Sequence, residues 1–167
     1  MAVKRVLRYP HPSLKRKALS LPPESKARIA RVAADLCDTM SGHEGCVGLA
    51  APQIDEAVRI VVVDVSEHPR APSSNGLLVL VDPMIVAAEG SEVAREGCLS
   101  IPDLTANVRR ATEITVRGKT PAGEDRRITS EGFEARCLQH EIDHLDGVLF
   151  LDRVASLTAD VFRRRRY

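Results

Sequence analysis

The stretch His140-Glu141-Ile142-Asp143-His144 constrains this chain more than any other. Two histidines four residues apart fall on one face of an α-helix, about a turn apart, where they can share one metal ion. Glu141, beside the first, can reach a water held at that ion and move its proton. The same helix carries an apolar side of Phe133, Leu138, Ile142 and Leu145. Such a helix has to be enclosed by the rest of the fold.

The elements available to enclose it can be read along the chain. Ile29, Val32, Ala33, Leu36 and Met40 recur at spacings of three and four, which predicts a helix over residues 24–40 ended by Gly42. The β-branched run Val58 to Val65 reads as a buried strand, and Leu77 to Val81 as another, stopped by Pro83. Residues 66–76 read as a loop. Thr112 to Gly118 alternates as a half-buried strand, and a turn at Pro121-Ala122-Gly123 leads to a partner near Arg126 to Thr129. The HExxH helix then begins at Ser130, a natural cap, and ends at Asp146-Gly147. This order predicts an α+β domain over residues 1–167, with antiparallel sheets packed around a central helix carrying HExxH.

Composition bears on the metal question through cysteine. Four Cys in 167 residues are too few for a disulfide scaffold. Each is better read as a ligand, a nucleophile or core filler in a reducing compartment. No apolar stretch approaches the roughly 20 residues that cross a bilayer, and no hydrophobic signal opens the chain, so no membrane partner is expected. Charge is uneven although the net is +1. Residues 1–23 hold six cations and no acid, and residues 163–166 are four arginines, a short basic tail at about 163–167. The remaining 14 cations share the chain with all 23 acids. Basic ends of this kind are usually solvated, and can also dock on a polyanion.

A catalytic site needs a third protein ligand. The extended metzincin pattern would put a third His at position 150, which is Phe150. The thermolysin type uses a downstream Glu, and none follows Glu141. Asp146, Asp152 and Asp160 remain as weaker choices, which turns attention to an upstream cysteine. Cys37 reads as core filler, Cys137 lies a turn before His140, and Cys46 sits in a Gly-rich loop. Cys98, in Glu96-Gly97-Cys98-Leu99-Ser100-Ile101-Pro102, leads on chemistry without excluding the others.

Three motifs in order carry a family resemblance: Val47-Gly48-Leu49-Ala50-Ala51-Pro52-Gln53, Glu96-Gly97-Cys98-Leu99-Ser100, and Gln139-His140-Glu141-Ile142-Asp143-His144. In these, and in the opening around Arg8-Tyr9-Pro10, the sequence resembles the peptide deformylases over roughly Val6 to Asp152. The resemblance implies a site in which Cys98, His140 and His144 hold one Fe²⁺, with Zn²⁺ or Ni²⁺ able to take its place in isolated protein. It implies hydrolysis of the N-formyl group from N-formylmethionyl nascent peptides, releasing formate. Glu141 would be the acid/base, and Gln53 and the Leu99 N–H the oxyanion donors. Val47, Gly48, Gly97, Phe133 and Cys137 would bind substrate, and Glu96 with Arg110 would brace the cysteine loop. DNA is not an expected partner; for an enzyme of emerging chains, the polyanion facing the basic ends would be on the ribosome.

Two positions depart from the family pattern. Cys46 stands where most members have the first Gly of Gly-φ-Gly, and Arg136 where an apolar pocket residue is usual. Arg136 would narrow the pocket, or line it with its aliphatic stem while the charge snorkels outward. The likeness starts so near the N-terminus that a removable leader is not expected. A bacterial cytoplasmic enzyme is favoured over a mature organellar one. The rival functions are a zinc metallo-endopeptidase and a catalytically weak, metal-binding relative.

Overall fold

The β-branched run in the first half of the chain is continuous because its strand is covered on both faces. In the computed structural model, which describes residues 2–165, strand β2 (Ile60–Val63) is fully buried. Val61 and Val63 face one core and Ile60 and Val62 another. A strand that is half-exposed alternates polar and apolar residues; this one has no exposed face to alternate with.

Around it lies a five-stranded sheet. Its members are β1 (Gly48–Ala50), β2, β3 (Leu78–Glu89), β6 (Glu113–Lys119) and β7 (Asp125–Glu131), in that spatial order. Helix α1 (Lys26–Ser41) covers one face through Ile29, Val32 and Leu36. Helix α2 (Gly132–Leu145) covers the other through Ala135, Leu138, Ile142 and Leu145. A second sheet, β4 (Glu92–Cys98), β5 (Ile101–Arg110) and β8 (Val161–Arg163), packs its inner residues Cys98, Ile101, Ala106 and Val108 on Leu14, Leu149 and Phe150. Every strand pairing in both sheets is antiparallel. The α+β architecture with the HExxH helix between sheets is therefore as expected.

Several local expectations need correction. Pro83 does not stop its strand: β3 runs on to Glu89 through an irregularity between Val81 and Met84, with Asp82 at φ 51°. A strand can absorb a proline at such a bulge, where no ladder N–H is required. Gly118 on the facing strand makes the space, since a Cβ there would lie 3.2 Å from the Val81 carbonyl oxygen. Ser130 is not the cap of α2. It is still in β7, and the helix starts two residues later at Gly132, with Glu131 at the N-cap. The Ser130 hydroxyl instead donates to Glu134 Oε1 at 2.7 Å. The arginine run also starts inside the fold. Arg163 pairs with Leu104 in the second sheet, and the Arg164 N–H donates to the Asp103 carbonyl. Arg166 and Tyr167, the end of the expected tail, lie outside the described residues.

Gly147 ends α2 at φ 72°, where a Cβ would sit 2.6 Å from the Lys15 carbonyl oxygen. The helix end is thereby pressed against the N-terminal segment. Gly147→Ala should cost about 1–3 kcal/mol through the positive φ alone, with the backbone clash adding to it. A thermal or urea melt indistinguishable from the parent would show that this contact relaxes freely.

Candidate active site

Each part of the site is delivered by a different element. Alternation along β4 puts Glu96 and Cys98 on the inner face of the second sheet, while Gly97 points out. The helical repeat of α2 puts Arg136, His140 and His144 on one side, four residues apart. β1 runs into a 3-10 turn (Ala51–Ile54) that carries Gln53 back toward the strand, where its Oε1 accepts from the Ala50 N–H at 3.0 Å.

Cys98, His140 and His144 come together with ligand atoms all within 4.8 Å of one another, and all three residues are buried. Cys98 Sγ lies 3.4 Å from His144 Nε2. His140 Nδ1 is hydrogen-bonded to Glu96 Oε1 at 2.9 Å, which leaves Nε2 to face the cluster. A thiolate and two imidazoles with this spacing suit a tetrahedral ion that keeps one position open. The donor set fits such an ion on a further count. Glu141 Oε2 is buried beside it with no hydrogen-bond partner among the described residues.

Glu141 approaches β1 so closely that a Cβ on Gly48 would lie 2.8 Å from its Oε1. Burial raises its carboxyl to about 7, with His140 pulling the other way. Burial also pushes His144 below the usual range for histidine. For His140, hydrogen bonds with Cys98 and Glu96 outweigh burial and raise it. Gln53 Nε2 lies 3.5 Å from Cys98 Sγ and donates to Ser100 Oγ at 3.1 Å.

Glu96 is the hub behind the ligands. Its carboxylate accepts from Arg110 Nε and Nη2, both at 2.9 Å, from Arg136 Nη1 at 2.7 Å, and from His140. Burial opposes ionisation, yet the hydrogen bonds from Arg110 and His140 hold this carboxyl far below the usual range. Arg110 also reaches Asp143 Oδ2 at 2.5 Å, and Arg153 closes the chain on the same carboxylate. The Glu96–Arg110 pair was implied by the family resemblance. Arg136, Asp143 and Arg153 were not, although Arg136 precedes His140 by one helical turn and so shares its face. The charge of Arg136 does not snorkel outward. It turns inward to Glu96 and to the Val108 and Glu92 carbonyls, each at 2.8 Å.

The remaining expected residues line one cleft of about 290 Å³ above the cluster: Val47, Gly48, Gly97, Leu99, Phe133 and Cys137. Cys46 lies there too, its thiol pushed up to about 12 by burial first and Glu141 second. Cys37 does not line it; it sits on α1, partly buried against the core which that helix covers. The cleft opens between β1 and β4, each at the edge of its sheet.

An HExxH helix enclosed by antiparallel sheets, with a buried Cys/His/His cluster in an open cleft, defines the class as a metal-site hydrolase. Within that class the chain belongs to the peptide deformylase family: the polypeptide deformylase profile matches residues 3–160. It is 40% identical over 165 residues to the peptide deformylase of Syntrophobacter fumaroxidans, covering 99% of this chain and 94% of the relative. It is 44% identical over 158 residues to that of Desulforudis audaxviator, covering 94% and 97%. Among solved structures, the Met-Ala-Ser-bound class I type b peptide deformylase of Acinetobacter baumannii superposes with a TM-score of 0.85 at 31% identity. That match covers 92% of this chain and all of the other.

Glu96→Gln keeps the side-chain shape and removes the charge that both arginines and His140 share. Metal affinity, measured by competition with a chelator, should fall roughly 10–100-fold. Unchanged affinity would mean that the network braces the sheet rather than the ligands.

Proposed function

We propose that the chain, residues 1–167, acts as one catalytic domain that removes the formyl group from N-formylmethionyl nascent peptides and releases formate. The observation that carries this is a buried Cys98/His140/His144 cluster at the floor of a cleft flanked by two strand edges, with a Glu141 oxygen beside it that has no hydrogen-bond partner among the described residues. Family membership and the Met-Ala-Ser-bound relative support a methionyl peptide as the occupant. Family membership also weighs against the zinc endopeptidase alternative.

Cys98, His140 and His144 would hold one Fe²⁺, replaceable by Zn²⁺ or Ni²⁺, which when bound supplies Lewis acidity toward the formyl oxygen and acidifies water. Glu141 takes the water's proton at Oε2 and returns it to the departing amine nitrogen. The oxyanion that develops on the formyl oxygen is met by the Gln53 side-chain amide and the Leu99 N–H; losing one such donor costs on the order of 2.7–4 kcal/mol in the barrier. Gln53 is held for this by Ala50 and Ser100, so its amide needs no search for an orientation. The free edges at residues 47–48 and Gly97 align the peptide by strand pairing. Val47, Phe133 and Cys137 enclose the methionine side chain, and the inward turn of Arg136 leaves its stem as part of the wall. Glu96 and Arg110 fix the tautomer of His140.

A bacterial cytoplasmic setting fits the bacterial relatives, and no described helix is long and apolar enough to cross a membrane. Ribosome contact through the basic termini is supported by charge alone.

Iron-loaded protein prepared without oxygen should release formate from a formyl-Met peptide, and Glu141→Gln should retain the metal while losing nearly all turnover. No turnover above metal-free protein, or a fully active Glu141→Gln, would overturn the reading. Cys98→Ser should sharply weaken metal retention and Cys37→Ser should not. Equal loss in both would displace Cys98 as the thiolate ligand.

A further inference from the structure

The first turn of α2 is met twice by one loop. Phe133 and Glu134 are the second and third residues of the helix, and both touch the segment between β2 and β3, residues 64–77. The His68 ring stacks on the Phe133 ring with centres 4.3 Å apart and planes at 22°. The guanidinium carbon of Arg70 lies 4.8 Å from the centre of the same Phe133 ring. Each of these covers is itself held. The Arg70 N–H donates to His68 Nδ1 at 3.2 Å, and Arg70 Nη1 donates to the Arg95 carbonyl on β4 at 3.5 Å.

Glu134 holds the far end of the loop. Its buried carboxylate accepts from the Asn75 N–H at 2.7 Å, from Asn75 Nδ2 at 2.5 Å and from the Ser130 hydroxyl at 2.7 Å. Asn75 Nδ2 also donates to the Thr129 carbonyl at 3.2 Å. A buried carboxylate is costly unless donors surround it, so the loop and the helix start depend on each other at this point. Between His68 and Asn75, Ala71 packs on the core beneath α2. The loop is fastened in its middle and at its end, and this places His68 and Arg70 on one ring.

That ring is a wall of the cleft, together with Val47 and Cys137, and His68 and Arg70 reach the cleft beside it. The other two walls are set by the main chain. The Val47 carbonyl accepts from the Asp64 N–H at 2.9 Å, and Cys137 lies inside α2, one turn beyond Phe133. Phe133 alone stands at an element's end and is half-buried, so its rotamer depends on what covers it. A ring held in one rotamer keeps the slot narrow. A narrow slot admits a flexible, unbranched thioether and refuses a second ring. Resting on the deformylase reading, we propose that His68 and Arg70 determine which first residue the cleft accepts, by holding Phe133 in place, and that Asn75 and Glu134 position them.

The test compares kcat/KM of the iron-loaded enzyme for formyl-Met-Ala-Ser-amide and formyl-Phe-Ala-Ser-amide. The parent should favour the Met peptide by at least about tenfold. Combining His68→Ala with Arg70→Ala should narrow that ratio about three- to tenfold, and Asn75→Ala should move it in the same direction. Because the readout is a ratio, a variant that folds poorly lowers both peptides alike. In a Phe133→Ala background, the His68 and Arg70 changes should leave the ratio where Phe133→Ala alone puts it, since the ring they act through is gone. An unchanged ratio in the double variant or in Asn75→Ala would overturn the proposal and leave the deformylase reading standing. A further shift in the Phe133→Ala background would do the same. No turnover of any formyl peptide would remove both readings.

Discussion

Much of this structure depends on one carboxylate. Glu96 sits between two guanidinium groups and a histidine in an almost dry interior, and those partners come from β5 and α2 while Glu96 itself is on β4. Burying an unpaired charge there would cost several kcal/mol, so the arrangement holds only because every partner is present. The same bonds fix where α2 lies against the second sheet and which nitrogen His140 turns toward Cys98. Orientation of the helix and chemistry of the ligand are thus set by a single group. Asp143 extends the arrangement, joining Arg110 to Arg153 beyond the helix end.

The two sheets need this clamp because they do not share a ladder. The five-stranded sheet is held by apolar packing on α1 and α2. The three-stranded sheet has its own small core around Phe150 and Leu14. Between them the edges of β1 and β4 are left open, which is unusual for exposed strands, since free edges invite unwanted pairing. Here β1 is only three residues long, and both edges face a cleft rather than bulk solvent.

Elements whose residues are chosen by burial were legible in the sequence. The apolar spacing of α1, the β-branched run of β2 and the HEIDH face of α2 all announced themselves, because one physical demand set the residue types. Strands β4, β5 and β8 did not. Their outward positions hold Arg95, Gly97, Asn107 and the apolar Phe162, and their inward ones include Glu96 and Arg110, so the alternation of hydrophobic and polar residues is erased by the site. β3 was cut short at Pro83 because a bulge depends on Gly118 in a facing strand, which no local window can see. Cys98 led among four cysteines, but only the fold shows that its partners on the inner face of β4 and on α2 converge. Arg136 was read as narrowing the pocket or as lining it with the charge turned outward, and its inward pairing was not seen because its anion lies forty residues away in sequence.

The position of β8 has a consequence for how the protein is made. All three donor atoms of the cluster have been synthesised once His144 is in the chain. The strand that closes the second sheet, and the arginine that overlies Gly97, come later, at 161–164. A growing copy therefore carries its full set of ligands, and both strands that flank the cleft, before β8 and Arg164 have been made. The ligands thus precede in synthesis the one cleft-lining side chain, Arg164, that comes from the last strand's end.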